Sequence, residues 1–245
     1  MGFILPKKYS SQTVFIPQNQ ESSNGSSLSG VASLVGINLN QMSFGGEIPS
    51  SMYPEISQSI KFKRSILEKY IDLNNSITLK MYLINYYGIK QEEKINESQF
   101  HVSLSEEKCF KILDKIISID VNQKDGFVTI KTEMPVAEYS AILAKLSKDI
   151  LQTIIIENKI ESAKQNLEFS ENQLAEKKIE FEKIQNRLSY FKDSNLNIVN
   201  SSVINEQDKL EAEFNIINAV VEELAKQVEQ AKLQVKKDTP VFSTI

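Results

Sequence analysis

Leu210-Glu-Ala-Glu-Phe-Asn-Ile-Ile-Asn-Ala-Val-Val-Glu-Glu-Leu-Ala-Lys-Gln-Val-Glu-Gln-Ala-Lys-Leu-Gln-Val235 is the stretch that decides the fold. Apolar residues recur at alternating fourth and third steps: Leu210, Phe214, Ile217, Val221, Leu224, Val228, Ala231 and Val235. Charged residues, among them Glu211, Glu222, Glu223, Lys226 and Glu229, fill the positions between. A stripe this narrow cannot enclose a core by itself; it is the seam of a helix packed along another helix. The partner seam lies upstream, in Ile160, Leu167, Leu174, Phe181 and Leu188 at every seventh residue, with Ala163, Ile184 and Phe191 beside them. Ser170 and Lys177 interrupt that second row, where apolar residues are expected. Between the seams, Asp193 to Ser202 is rich in Asn, Ser and Asp, which break or cap helices. The pattern predicts an antiparallel helical hairpin with arms of roughly 45–50 Å at 1.5 Å per residue. Its packing residues are Leu174, Phe181, Leu188, Leu210, Phe214, Ile217, Val221, Leu224 and Val228.

Outward from the hairpin, the chain reads as an α/β base. Tyr9 to Ile16 is β-rich, most of all from Thr13 to Ile16, and stops at Pro17, so it reads as a strand; Gln18 to Ser29 and Gln41 to Ser51 read as polar loops, with a short apolar, glycine-interrupted segment between them. Pro54 opens a helix with Ile56, Ile60, Lys63, Leu67 and Tyr70 inward. Ile77 to Tyr87 fits helix and strand equally. Ser103-Leu-Ser-Glu106 matches a capping box, with a helix through Phe110, Leu113 and Ile116. Ile117 to Val121 and Phe127 to Thr132 then alternate on either side of an Asp125-Gly126 turn, which predicts a β-hairpin. A helix is expected to start between Thr132 and Pro135 and run on into the arm, giving one rod of roughly 55 residues, about 80 Å. Val241 to Thr244 reads as a last strand joining the same sheet. The predicted class is therefore α+β: a small mixed α/β base, residues 1–135 and 238–245, with a long antiparallel helical hairpin, residues 136–237, inserted in it.

Composition narrows the function. The 245 residues carry 28 Lys+Arg and 32 Asp+Glu, a net charge of −4, with both signs mixed along the helices. No basic block interleaved with aromatics is present, so nucleic acid is not an expected partner. His101 is the one histidine, which excludes a two-histidine relay or a histidine metal cluster. Cys109, the one cysteine, sits among Phe110, Ile112 and Leu113 and reads as a buried small hydrophobe rather than a reactive thiol. No phosphate-binding glycine string occurs. Glu168, Glu171, Glu176, Glu180 and Glu182 fall on the solvated positions of the arm. Asn-x-Ser matches begin at Asn24, Asn74, Asn96 and Asn200, the number chance supplies in a chain rich in Asn and Ser. No enzyme, catalytic residue, cofactor or metal is expected. No run approaches the ~20 apolar residues of a membrane span, and the residues after Met1 are not expected to act as a signal peptide. An abrupt apolar start at Met1 to Leu5 and an abrupt end at Val241 to Ile245 are expected of a domain lying between two membrane anchors, and equally of a tolerated cytosolic fragment.

Several segments, taken in order, resemble one family. Leu5-Pro-Lys-Lys-Tyr-Ser-Ser-Gln-Thr-Val-Phe-Ile-Pro17 resembles the strand after the first membrane helix of Wzz-type chain-length determinants, the polysaccharide co-polymerases. Tyr53-Pro-Glu-Ile-Ser-Gln-Ser59 resembles the early helix of that family. Asp125-Gly-Phe-Val-Thr-Ile130 and Pro135-Val-Ala-Glu-Tyr-Ser-Ala-Ile-Leu143 are similar to its passage from strand into long helix, and Pro240-Val-Phe-Ser-Thr-Ile245 to the strand before its second membrane helix. The resemblance implies the periplasmic domain of an inner-membrane protein, held by flanking membrane helices and assembled into a ring-like homo-oligomer. It implies work with a Wzy-type polymerase on a nascent polysaccharide, setting the chain length of O-antigen, capsule or exopolysaccharide. Two other classes fit a helical hairpin. A periplasmic pump adaptor is expected to show half-lipoyl β segments on both sides of it, and a generic coiled-coil scaffold needs no α/β base.

Overall fold

The computed structural model describes residues 7–17, 48–74, 76–90, 102–122, 124, 126–196 and 200–238. They form a mostly helical α+β protein with one small antiparallel sheet, and the chain divides into two compact units at Ile155/Ile156.

In the first unit, strands β1 (Tyr9–Phe15), β2 (Ile117–Asn122) and β3 (Phe127–Met134) form a sheet ordered β1-β3-β2, antiparallel throughout. Alternation makes one face apolar: Ile117 and Ile119 of β2, and Val128, Ile130, Thr132 and Met134 of β3, are buried. Gly126 closes the β2–β3 turn at φ 74°, donating its N–H to the Asn122 carbonyl at 2.9 Å. The expected joining of β1, β2 and β3 in one sheet is observed. The expected final strand, Val241 to Thr244, lies outside the described residues, as does His101.

Helices α1 (Tyr53–Gln58), α2 (Ile60–Leu67), α3 (Leu79–Tyr87) and α4 (Leu104–Ile116) supply the rest of the core. The single helix expected after Pro54 is two. Ser59 is extended, at ψ 148°, and its hydroxyl accepts the Phe62 N–H at 3.2 Å, so it ends α1 and caps α2. The restart shifts the inward face to Phe62, Lys63, Ile66 and Leu67, leaving Ile60 and Tyr70 about half exposed. The ambiguous segment resolves as helix: Thr78 caps α3 through the Met81 N–H, and Gly88, at φ 62°, ends it. The capping box at α4 is half formed. Ser103 accepts the Glu106 N–H at 3.2 Å, but the Glu106 carboxylate receives Arg64 Nε at 2.7 Å and Nη2 at 3.0 Å, which ties α4 to α2.

The strand β3 runs to Met134, two residues past Thr132, where the strand was expected to end. Thr132 stays in the sheet because its hydroxyl donates to the Ser140 carbonyl at 2.8 Å, while the Ser140 hydroxyl donates to the Thr132 carbonyl at 3.0 Å. Helix α5 (Ala137–Ser194) therefore starts after Val136. Its first part, with Leu143, Ile150, Leu151, Ile154 and Ile155, belongs to the core of the first unit. The boundary between the two compact units falls inside this helix, at Ile155/Ile156.

The second unit contains the remainder of α5, from Ile156, and α6 (Ser201–Asp238). Asn200 starts α6, its Oδ1 accepting the Ser202 N–H at 3.1 Å. Contacts run in opposite sequence order along the two helices: Lys192 meets Glu211 at 2.8 Å, and Phe181 meets Phe214 with ring centroids 5.1 Å apart. Lys232, further along α6, feels the charge of Glu171, further back on α5.

Candidate functional site: the facing sides of the two long helices

Heptad positions place the site residues. On α6, Leu210 (2% exposed), Ile217, Leu224 (1%) and Val228 are buried, and Phe214 and Val221 are half-buried. On α5, Leu188 is buried while Leu174 and Phe181 are half-buried. Direct contact is recorded for Phe181 and Phe214, whose rings tilt by 35°. All nine residues are buried or half-buried.

The interrupted row of α5 behaves differently from what its polarity predicts. Ser170 is fully buried, along with Ala163 and Ile184, and Lys177 is half-buried. A helix offers Ser170 an internal partner, and its hydroxyl donates to the Asn166 carbonyl at 2.8 Å. Lys177 turns its ammonium to Glu180 at 2.6 Å. Both residues keep an apolar-like position by satisfying their polar ends along their own helix.

Two buried residues of α6 were not read from the sequence, Val220 and Gln227. They are seven apart and flank the main seam, so the buried face of α6 is wider than two residues in seven. Gln227 is 5% exposed and its Oε1 has no hydrogen-bond partner among the described residues. An unpaired buried carbonyl is the costly element of this face.

Ion pairs edge the stripe. Lys192 donates to Glu211, and that hydrogen bond, helped by Gln207, holds the Glu211 carboxyl below its ordinary value. Arg187 lies between Glu206 and Glu213, each at 3.9 Å. Such exposed pairs order the helices by charge and contribute little stability.

The site is a packing surface. Among the described residues no group of three or more His, Cys, Asp or Glu side chains could hold a metal, and no helix is long and apolar enough to cross a membrane. Cys109 is buried in the first unit, and burial pushes its thiol up, away from the reactive thiolate. Comparisons with protein-family models, with curated proteins and with solved structures find no match for this chain.

Proposed function

We propose that the chain is the periplasmic domain of an inner-membrane polysaccharide co-polymerase. In that role it forms a ring-like homo-oligomer and works with a Wzy-type polymerase to set the length of O-antigen, capsule or exopolysaccharide. The observation that carries the reading is one of order: a small α/β base, then a 58-residue helix, then a 38-residue helix with a narrow apolar seam. In this reading α5 and α6 are a long antiparallel hairpin inserted in the base, with α5 roughly 85 Å long at 1.5 Å per residue. The segments of the base and of early α5 that resemble Wzz-type proteins support the same assignment. A long arm with its polar groups spent on helix structure suits assembly and measurement rather than bond-making.

The test uses a deletion strain complemented with the wild-type gene, with Leu210→Ala or with Leu224→Ala. Each truncation removes a buried side chain at about 2–5 kcal/mol, which loosens the arm and leaves the polymerase untouched. The expected result, on a gel of surface polysaccharide, is a shifted or broadened length distribution with synthesis retained. A ladder unchanged by the deletion itself would refute the proposal; lost efflux with an unchanged ladder would point to a pump adaptor.

A further inference from the structure

Four tyrosines of the first unit form a continuous row of ring contacts. Tyr82 and Tyr86 of α3 stack with centroids 5.6 Å apart and planes 15° from parallel. Tyr139, at the start of α5, meets Tyr82 edge-on at 5.1 Å, and Tyr87 meets Tyr86 edge-on at 5.0 Å. The inner end of the row is anchored, since Tyr82 and Tyr139 pack against the core; the outer end is open, with Tyr86 48% and Tyr87 47% exposed.

The polar chemistry of the row is unspent. None of the four phenol hydroxyls is engaged in a hydrogen bond among the described residues, and neither is the side-chain amide of Asn85, exposed between Tyr82 and Tyr86 on the same helix. No charged residue occurs from Met81 to Gly88. Each phenol can donate and accept, and the amide adds two donors and an acceptor.

We propose that Tyr82, Asn85, Tyr86 and Tyr87 form a binding platform for an uncharged stretch of carbohydrate chain. A sugar ring presents an apolar C–H face and a rim of hydroxyls, and the row offers the complement: aromatic surface with neutral donors and acceptors at its edge. Burial first, and the neighbouring tyrosines second, push the Tyr82 hydroxyl above its ordinary value of 10.0, so the row stays uncharged. Burial and then Tyr86 do the same for Tyr87. The proposal deepens the chain-length role and rests on it for the choice of ligand.

The experiment titrates the full chain with oligosaccharides released from the surface polysaccharide of the host that carries the gene, and separately with phosphatidylethanolamine/phosphatidylglycerol vesicles. The chain has no tryptophan, so tyrosine emission reports directly, with saturation-transfer NMR on the sugar as a second readout. The expected result is binding by the wild type and affinity lower by about tenfold or more in Tyr86→Ala/Tyr87→Ala, the loss seen when an anchoring tyrosine is truncated. Circular dichroism checks folding; should that double variant unfold, Asn85→Ala and Tyr86→Phe/Tyr87→Phe are expected to weaken binding while keeping the rings of the row. No saccharide binding by the wild type, equal binding by folded variants, or binding to vesicles alone would each overturn the platform. Saccharide binding that persists beside an unchanged ladder in the deletion strain would remove the chain-length role and leave the sugar site standing.

Discussion

The two units bury apolar residues by different geometries. In the first, a sheet face, four short helices and the start of α5 surround a common centre, and Ile66, Ile71, Leu79, Leu83, Val128 and Ile130 are all fully buried. In the second, two helices share one stripe, and Leu174, Phe181, Phe214 and Val221 keep part of their surface in water. A residue surrounded on all sides loses most when truncated, because its neighbours cannot all move in to fill the space; a residue in a stripe is flanked by solvent, into which the helix can relax. The first unit concentrates its stability, and the second distributes it along a line.

The largest effect is expected at the centre of the first unit. Phe62→Ala, at 2% exposure, is expected to destabilise by about 3–5 kcal/mol, measured by urea unfolding; Phe214→Ala, half-buried on the stripe, should do less. A greater loss for Phe214→Ala would break the contrast between centre and stripe.

A smaller effect of opposite sign is expected within the stripe. Gln227→Leu replaces a buried carbonyl that lacks a partner among the described residues, so it should stabilise by about 1–3 kcal/mol. A lower urea midpoint for this variant would mean that the glutamine is held by an interaction stronger than packing, and the stripe would then have a polar determinant.

The smallest effect belongs to a loop of the first unit. The Asp72 carboxylate accepts hydrogen bonds from the Ser76 hydroxyl and from the Ser76 and Ile77 N–H groups, and the Ser76 hydroxyl is the main cause that lowers its pKa from 3.8 to about 2. Because the folded value is depressed, the contribution is complete above the ordinary 3.8 and is lost as pH falls through 3.8 toward about 2. Asp72→Asn should therefore show a flatter dependence of melting temperature on pH across that window. Equal slopes in both proteins would place the acid sensitivity of the first unit elsewhere.

These residues also explain what the sequence made legible. The β2–β3 pair was readable because alternation and an Asp-Gly turn point the same way. The break at Ser59 was not, since Ile56, Ile60, Lys63 and Leu67 keep helical spacing straight through it; the serine cap that interrupts them is a local hydrogen bond, which periodicity does not register. The last two residues of β3 were hidden differently: the nearby Pro135 reads as the opening of a helix, although Met134 continues the alternation past Thr132. On the stripe, the heptad rule located Leu210, Ile217, Leu224 and Val228 and overlooked Val220 and Gln227, because it assumes a seam of two positions and the buried face is wider. The tyrosine row was missed because its members come from two helices and only Tyr82, Tyr86 and Tyr87 share a segment.

The pairing of β1 with β3 joins Phe15 to Val128 and Tyr9 to Met134. Synthesis therefore completes the first strand more than roughly 110 residues before its neighbour exists. At about 5–20 residues per second the wait is on the order of ten seconds, during which Val14, Phe15 and Ile16 form an unpaired β-prone segment. The local β2–β3 turn can close as soon as it is made, but the sheet is finished only by closing that long loop. The nascent chain thus carries an unpaired, sticky strand throughout that interval, and a chaperone that shields β1 should raise the yield of folded protein more than one acting on the long helices.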